Sequence, residues 1–253
     1  MLGVTRRMDV NCDLGETAQP WVDSHEPLLM GLITSANVAC GGHAGDDVSM
    51  HAVCERAAHL GVTIGAQVSY PDRQNFGRVR MHLDPTALAS TLRHQYAALD
   101  EVARRHGTRV SYVKPHGALY NTIVRDVVHG SVVVDLARHH GVPLFGLPNS
   151  ATEELAVERG VRFIREWFAD RGYLAGGELV PRSRPDALIT DAGDVRTRVA
   201  RLIRNGDVES VDGATIRMEC DTICVHSDTP GAVHLLNAVR DALTSERVTI
   251  GAI

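Results

Sequence analysis

Residues 57–68 read AAHLGVTIGAQV: an amphipathic stretch that ends in Gly61, followed at once by an apolar, β-branched run. A glycine directly after a helix lets the chain turn in the left-handed conformation, so that a strand can begin immediately. The same sequence pattern recurs as ARRHGTRVSYV at 103–113, LARHHGVPLFGL at 136–147 and LAVERGVRFIREW at 155–167, and in a weaker form as LIRNGDVESV at 202–211. This repetition predicts helices that alternate with strands.

The strands predicted in this way are short and almost continuously apolar. They cover residues 8–12, 36–40, 62–68, 111–115, 143–147, 162–168, 187–190 and 222–226. Such strands are typical of a parallel sheet that helices cover. Seven or eight of these units in 253 residues predict an α/β fold, a (β/α) barrel, complete or distorted, with mostly parallel strands. Because no linker or break in composition divides the chain, we predict one domain over residues 1–253.

Two of the helices are predicted to begin at a proline that follows a capping residue, at Asp84-Pro85 and at Thr229-Pro230. Apolar residues recur at helical spacing after each start, from Leu88 to Val102 and from Val233 to Leu243. The glycine- and arginine-rich stretch RGYLAGGELVPRSRP at 171–185 interrupts this pattern. We interpret it as an ordered loop or hairpin at the mouth of the barrel.

Charge and composition exclude several classes of protein. The chain has 26 Lys and Arg against 31 Asp and Glu, a formal charge of −5, and no basic stripe, which argues against nucleic-acid binding. No apolar run approaches the ~20 residues of a membrane-spanning helix, and the first ten residues lack a secretory pattern. The five cysteines follow no CxxC spacing. They predict reduced, mostly buried thiols and a cytoplasmic location.

Lysine is nearly absent from the chain. Of the 26 basic residues 25 are arginine, and the single lysine is Lys114. A compact ammonium differs from a planar guanidinium in size, geometry and ease of deprotonation. We therefore expect Lys114 to occupy a position that arginine cannot fill.

Reactive side chains cluster where the predicted strands end, the place where barrels of this kind carry their active sites. These clusters are NCDLGE at 11–16, CGGHAGD at 40–46, KPHG at 114–117 with Tyr120 and Asn121, Glu166 with Asp170 and Arg171, and HSD at 226–228. Five converging ends of this composition predict a functional cleft.

These residue types are compatible with two chemistries. Asp13 next to histidines could be a general base that activates water, while Lys114 and a histidine stabilise an oxyanion, and the GGHAGD turn could cradle an anion at a helix start. The same residues could instead hold a divalent metal ion, although no ordered ligand spacing such as HExxH is present. No nucleotide-binding motif of the P-loop or GxGxxG type occurs.

Several motifs resemble the LamB/YcsF family in the same order along residues 9–243. They are NCDLGE at 11–16, SANVACGGHAGD at 35–46, KPHGALYN at 114–121, FADRGY at 168–173, LVPR at 179–182, VDG at 211–213 and DTICVHSDTPGAV at 221–233. The resemblance implies a distorted barrel of the glycoside hydrolase/deacetylase type. It also implies the role of the A subunit of a 5-oxoprolinase, which opens the lactam of 5-oxoproline to L-glutamate at the expense of ATP, together with separate B and C subunits.

The resemblance also implies roles for individual residues. Catalytic roles fall to Asp13, His43, Lys114, His116, Asp170 and His226, and substrate contacts to Asn11, Asp46, Gln67, Tyr120, Arg171 and Arg182. Asp13 would be the general base or would orient water, and Lys114 with His116 would be the electrophilic or phosphate-binding pair. Gln67 stands where the family usually has histidine, and a glutamine can donate a hydrogen bond but cannot shuttle protons.

Two other functions remain open from the sequence. One is a stand-alone metal-dependent amidohydrolase or carbohydrate deacetylase with Asp13, His43 and His116 around the metal. The other is a binding subunit without catalysis of its own. In the 5-oxoprolinase interpretation, the complex consumes ATP, while this chain shows no recognisable nucleotide site and its metal requirement is open. The expected partners are the B and C subunits and a small-molecule substrate, with no nucleic acid or membrane, and a homo-oligomer is also compatible.

Overall fold

In the computed structural model, which describes residues 6–17 and 19–253, seven parallel strands close into a barrel. The strands in chain order are β1 (Arg7–Leu14), β2 (Ser35–Ala39), β3 (Thr63–Val68), β4 (Val110–Pro115), β5 (Leu144–Gly146), β6 (Phe163–Phe168), β7 (Asp207–Glu209), β8 (Thr215–Arg217), β9 (Thr222–Cys224) and β10 (Thr249–Ile250). Strands β1 to β6 pair in sequence order, and β9 pairs with both β6 and β1 to complete the circle. The predicted parallel α/β barrel is confirmed.

Helices pack around the outside of the barrel. They are α1 (Glu26–Met30), α2 (Asp47–Leu60), α3 (Pro85–Arg105), α4 (Gly117–Thr122), α5 (Val127–His140), α6 (Ala151–Glu158), α7 (Ala192–Asn205) and α8 (Ala232–Ser245), with a short 3₁₀ helix at Trp21–Asp23. The predicted apolar face of α3, from Leu88 to Val102, is buried in the core. In the part of the chain that the structure describes, no helix is long and apolar enough to cross a membrane.

The predicted glycine turns connect these helices to the strands. Gly61 ends α2 with φ +70°, and β3 begins two residues later. Gly206 ends α7 in the same conformation, with φ +66°. The strand after Gly206 is β7, which pairs antiparallel with β8 in a separate two-stranded sheet. The weakest of the five predicted units therefore has the expected helix, turn and strand, but its strand does not enter the barrel.

Residues 187–190 are not a strand, and this prediction is wrong. Leu188 forms only an isolated antiparallel bridge with Arg171. The physical reason is barrel closure: β9 pairs directly with β6 on one side and β1 on the other, so no open position remains between them. This apolar run packs into the protein without forming a strand: Ala187 is completely buried. The carbonyl of Ala187 accepts a hydrogen bond from Nε of Arg171.

The helix predicted to begin at Pro230 begins at Ala232, and Thr229 does not cap it. The N-cap residue is Gly231, which lies in the left-handed region at φ +77°. The Thr229 hydroxyl donates instead to Oδ2 of Asp170 at 2.6 Å. A tertiary partner thus takes the side chain that local sequence assigns to a helix cap.

The stretch 171–185 forms the predicted hairpin at the barrel mouth. Tyr173 and Leu179 form an antiparallel bridge, and the amide of Leu174 donates to the carbonyl of Glu178 at 2.8 Å. The residues after the turn, from Glu178 to Arg182, line a cavity at the mouth. The hairpin therefore delivers charged side chains to the cleft.

The five cysteine thiols are all free and buried, as predicted. Cys224 is the last residue of β9, and its thiol accepts a hydrogen bond from Nζ of Lys114 at 3.3 Å. Burial, the largest effect, raises the pKa of Cys224 well above the ordinary thiol value. Cys224 is therefore a neutral thiol that packs against the charged centre of the site.

Candidate active site

The single lysine lies at the centre of the barrel mouth. Lys114, near the end of β4, has a side chain only 3% exposed. Its Nζ lies 2.8 Å from Oδ1 of Asp13 and 3.0 Å from Oε1 of Glu166. Burial alone would lower the pKa of Lys114, but the surrounding acidic groups, Asp13 first among them, outweigh burial and raise that pKa well above its usual value. Lys114 is therefore a charged ammonium enclosed by protein.

Asp13, at the end of β1, is held from two sides. Its Oδ1 accepts hydrogen bonds from Lys114 and from Nδ2 of Asn37, both at 2.8 Å. Asn37 is in turn fixed by the Tyr112 hydroxyl, which donates to its Oδ1 at 2.7 Å. Burial would raise the pKa of Asp13, but Lys114, with His226 and His116, holds it below its ordinary value. A carboxylate so stabilised can orient a water molecule, whereas it accepts a proton reluctantly.

Glu166 is the second carboxylate at Lys114, on strand β6 and completely buried. Burial is the largest effect on Glu166, and its pKa is raised although Lys114 lies at 3.0 Å. The hydroxyl of Tyr120, whose pKa is itself raised well above normal by burial and then by Glu166, belongs to the same group of side chains. One ammonium thus serves two carboxylates whose pKa values move in opposite directions, a pattern common in acid–base sites.

His226 and Asp170 form an oriented pair beside this centre. Nδ1 of His226 lies 3.0 Å from Oδ2 of Asp170, which also accepts from the His226 backbone amide and from Thr229. The pKa of Asp170 is lowered: burial opposes this, but His226 and the hydrogen bonds outweigh it. Because the carboxylate holds the proton on Nδ1, the lone pair of Nε2 is directed away from Asp170. His226 lines the cavity, where it can accept a proton from water.

A cavity of about 570 Å³ opens above Lys114 and His226. Its cationic lining residues are Arg78, Arg80, Lys114, Arg125, Arg171 and Arg182, and its acidic ones are Asp13 and Glu178. The four rim arginines are all paired: Arg78 and Arg182 share Asp228, Arg125 binds Glu178 and Arg80 binds Asp126. The excess of positive charge in the lining favours an anionic ligand.

Arg171 differs from the rim arginines because carbonyl oxygens hold it. Its guanidinium donates to the carbonyls of Ala187 and Val180 at 3.1 and 2.6 Å, and the residue is 4% exposed. Burial first, and Arg182 second, lower the pKa of Arg171. A buried guanidinium whose charge is not neutralised by a bonded carboxylate is an anchor for a ligand carboxylate or phosphate.

A second cluster lies behind the cavity wall that His116 forms. Oε1 of Glu16 lies 3.0 Å from Nε2 of His43 and 3.3 Å from Nδ1 of His116. Gln67 closes the group, because its Nε2 donates to Glu16 at 2.8 Å and to Nδ1 of His116 at 3.0 Å. The donor atoms of Glu16, His43 and His116 all lie within 4.8 Å of one another, so that together they could hold a metal ion.

Two residues predicted to contact substrate, Asp46 and Asn11, do not line the cavity. Asp46 is exposed and stands outside the cavity. Its side chain caps α2 by accepting a hydrogen bond from the Ser49 amide, and its backbone amide donates to Oγ of Ser49. Since that carboxylate already occupies the helix start, the GGHAGD turn is not an anion cradle. The turn positions His43 instead. Asn11, another predicted substrate contact, lies below the cavity and binds Thr222 and Asn37.

Of the predicted catalytic residues, the structure brings Asp13, Lys114 and His226 with Asp170 to one cavity, and His43 with His116 to its back wall. Tyr120, Arg171 and Arg182 line the cavity as expected. Sequence reasoning did not assign roles to Glu16 and Glu166, although both stand in strand-end motifs. It also missed Arg78 and Arg125, which follow no motif and reach the mouth only through the fold.

Comparisons with known proteins agree with this architecture. The model of the family described as "LamB/YcsF family" matches residues 8–253. A protein of Streptomyces avermitilis named as the A subunit of 5-oxoprolinase is 46% identical over 247 residues, which are 97% of this chain and 99% of that protein. The crystal structure of a lactam utilization protein from Thermus thermophilus superposes with a TM-score of 0.90 at 34% identity and covers 98% of this chain and 100% of the other.

A more distant solved structure shares the fold. A mutant of a CE4 family pseudoenzyme superposes with a TM-score of 0.50 at 10% identity, over 98% of this chain and 66% of that one. This places the barrel among folds of the deacetylase type, as expected. The family match over residues 8–253 and the 46% identity to a relative over nearly the whole chain establish the family as well as the fold. The chain belongs to the LamB/YcsF family.

Proposed function

We propose that this chain is the A subunit of an ATP-dependent 5-oxoprolinase, which hydrolyses the lactam of 5-oxoproline to L-glutamate together with B and C subunits. The observation that carries the proposal is the cation-lined cavity above Lys114, in a chain 46% identical over nearly its whole length to a protein named as the A subunit of 5-oxoprolinase. The substrate has one carboxylate, and Arg171 with Arg182 is the pair best placed to bind it.

The chemistry supports a division of labour between subunits. An amide carbonyl resists attack by water at neutral pH, and transfer of the γ-phosphoryl group of ATP to the lactam oxygen turns that oxygen into a leaving group. Water then adds to the former carbonyl carbon, and the ring C–N bond breaks to give an acyl phosphate. A second water hydrolyses the acyl phosphate, which leaves L-glutamate, ADP and inorganic phosphate. The cavity lining, rich in arginine and without a nucleotide-binding motif, suits the receipt of a phosphorylated intermediate.

The residues divide the work in this scheme. His226, oriented by Asp170, accepts the proton of the attacking water, and Asp13 orients that water. Lys114 stabilises negative charge that develops at the reacting oxygen. Glu166, completely buried 3.0 Å from Nζ of Lys114, holds the ammonium in place. Nucleotide binding is assigned to the partner subunits.

Reconstitution tests the proposal. The chain is mixed with candidate B and C subunits, and glutamate released from 5-oxoproline is measured with and without ATP. We expect glutamate only when all three subunits and ATP are present, with equal amounts of glutamate and phosphate. A verified three-subunit complex that produces no ATP-dependent glutamate would falsify the proposal.

One observation favours a second candidate, a stand-alone metal-dependent amidohydrolase or carbohydrate deacetylase. It is the convergence of Glu16, His43 and His116 at the cavity wall. This candidate predicts hydrolysis of N-acetylated sugars or simple amides by the isolated chain with added zinc and no ATP. The leading proposal predicts that the isolated chain is inactive in this assay.

A further inference from the structure

We propose that Glu16, His43 and His116 bind a divalent transition-metal ion, with Zn²⁺ as the best match, beside Asp13 at the mouth of the barrel. One carboxylate oxygen and two imidazole nitrogens are a donor set that suits zinc and its neighbours. With metal–ligand distances of about 2.0–2.1 Å, ligand atoms in a tetrahedral site lie about 3.3 Å apart. Oε1 of Glu16 lies 3.0 Å from His43 and 3.3 Å from His116.

A hydrogen bond fixes the orientation of the His116 ring. Its Nε2 lies 3.1 Å from the carbonyl oxygen of Phe76, which can only accept, so Nε2 carries the hydrogen. The other ring nitrogen, Nδ1, therefore faces Oε1 of Glu16.

His43 is oriented in the same way from the opposite side. Its Nδ1 lies 3.0 Å from Oγ of Ser69, and the Ser69 hydroxyl donates its only hydrogen to the carbonyl of Tyr70 at 2.9 Å. Ser69 therefore accepts from Nδ1 of His43, and Nε2 is the ring nitrogen that faces Oε1 of Glu16. A hydrogen-bond acceptor behind each ligating imidazole is the usual arrangement at protein metal sites.

Three potential ligand atoms thus meet at one point, all within 4.8 Å of one another. The two imidazole rings stack 3.7 Å apart and nearly parallel, at 5°, which disfavours a proton on both. Lys114, the nearest ammonium, is already engaged by Asp13 and Glu166. A divalent cation satisfies all three donors at once, whereas a single proton satisfies one pair.

Gln67 provides an independent indication. It is fully buried, and its Oε1 has no hydrogen-bond partner among the residues that the structure describes, while its Nε2 contacts both Glu16 and His116. Rotation of the amide by half a turn exchanges the two atoms and directs the oxygen at the same point. Gln67 then becomes a neutral oxygen donor to the ion, and the unpartnered oxygen acquires a role.

Further residues hold the ligands in place. The carboxylate of Glu26, buried to 1% exposure, accepts from the amides of Gly15 and Glu16 and so fixes the turn that carries Glu16. Both backbone groups of Ser69 bind the side-chain amide of Gln95, at 2.9 Å each. This support is what a preorganised metal site requires, and a purely structural ion pair has no need of it.

Asp13, considered as a ligand from sequence, is in this arrangement a neighbour of the ion. Its Oδ2 lies 3.9 Å from Nδ1 of His116, and its Oδ1 is held by Lys114. A water in the open coordination position would lie near Asp13 and His116, which both line the cavity. The inference concerns ion binding by the chain alone and does not depend on the proposed 5-oxoprolinase activity.

Zinc binding tests this inference directly. The purified chain is stripped with a chelator and titrated with Zn²⁺, and bound metal is counted by elemental analysis. We expect one ion per chain in the wild type and in the control His59→Ala, which alters an exposed histidine of α2. Glu16→Gln and His43→Ala should bind at least about 100-fold more weakly, because loss of an outer partner alone costs about 10–100-fold.

Two further measurements keep the result decisive. Circular dichroism shows whether each variant is folded, and the visible spectrum of Co²⁺ added to the wild type reports nitrogen and oxygen ligation without any substitution. Wild-type binding no tighter than that of folded His43→Ala overturns the proposal. So does nuclear magnetic resonance evidence that Nε2 of His43 remains protonated at saturating zinc.

Discussion

Two carboxylates share a single ammonium in the candidate active site, and their surroundings separate their protonation. Asp13 is supported by Asn37 as well as Lys114, and its pKa is lowered. Glu166 faces Lys114 from a fully buried position on β6, and its pKa is raised. The same cation therefore lies between two carboxyl groups whose pKa values are shifted in opposite directions.

The substitution Glu166→Gln tests this difference through stability. A raised folded-state pKa means that the contribution of Glu166 to stability is fully present below the ordinary value of 4.5 and is lost as the pH rises through the raised value. Glutamine has no charge to bury, so the stability of Glu166→Gln relative to the wild type should increase over that window. Urea unfolding at a series of pH values measures it, and a relative stability that falls as the pH rises would contradict the assignment.

The pair of Asp170 and His226 predicts an effect on activity with little effect on the fold. In Asp170→Asn an amide replaces the carboxylate that holds the proton on Nδ1 of His226, so the ring loses its favoured tautomer. We expect turnover of the reconstituted complex to fall by about 10³–10⁴-fold, as for other oriented histidine bases. Asp84→Asn, which keeps a capping residue at α3, is the control. An Asp170→Asn complex with wild-type turnover would remove His226 from the mechanism.

Sequence alone predicts the residues at strand ends better than those within strands. Asp13, Lys114 and His226 follow or end apolar runs, where the parallel barrel collects side chains. Glu166 lies inside β6, and in a strand apolar on both faces the pattern does not show which side chains point inward. Asp46 illustrates the opposite difficulty, since an acidic residue before a helix is equally suited to capping.

At the scale of elements, the turn between β2 and α2 shows how backbone shape fixes a side chain. A Cβ atom added to Gly42 would lie 2.3 Å from Oγ of Ser69 and 2.6 Å from Oε1 of Gln95. Ser69 binds His43, and Gln95 binds both backbone groups of Ser69. Any displacement at Gly42 is therefore transmitted to the imidazole of His43.

Gly42→Ala should destabilise the protein for this reason. Overpacking of a buried site costs about 1–3 kcal/mol, and chemical denaturation measures it. The matched control is Gly31→Ala, at an exposed glycine where the new Cβ meets only the carbonyl of Leu28, at 3.5 Å. The control should change stability by less than about 0.5 kcal/mol. Equal effects of the two substitutions would show that contact with Ser69 and Gln95 is unimportant.

Elements defined by local chemistry are the ones that sequence predicts well. The turn at Gly61 and the cap at Asp84 need only their immediate neighbours, and both are found where expected. The errors at 187–190 and at Thr229 have a common cause, because distant partners decide both. Strand β9 closes the barrel in place of 187–190, and Asp170 binds Thr229. Barrel closure and long-range hydrogen bonds are not encoded in local pattern.

At the scale of the whole molecule, a chain of net charge −5 places a cluster of cations at one end of its barrel. Arginines from separate loops converge on the cavity, and most of them are held by carboxylates that a ligand anion can replace. The only lysine lies at the base of that cavity. This arrangement supports our proposal that the lactam is opened in the cavity above Lys114.

The turnover of the reconstituted complex carrying Lys114→Arg tests this claim most directly. Arginine keeps the charge, but its larger planar group does not fit between Asp13 and Glu166, so we expect a stability loss of about 1–3 kcal/mol. The folded variant should assemble with its partners and release glutamate from 5-oxoproline about 100-fold more slowly or worse, the usual effect of losing one preorganised electrostatic contact. Glutamate release at the wild-type rate would contradict a specific role for the Lys114 ammonium and for the cavity above it.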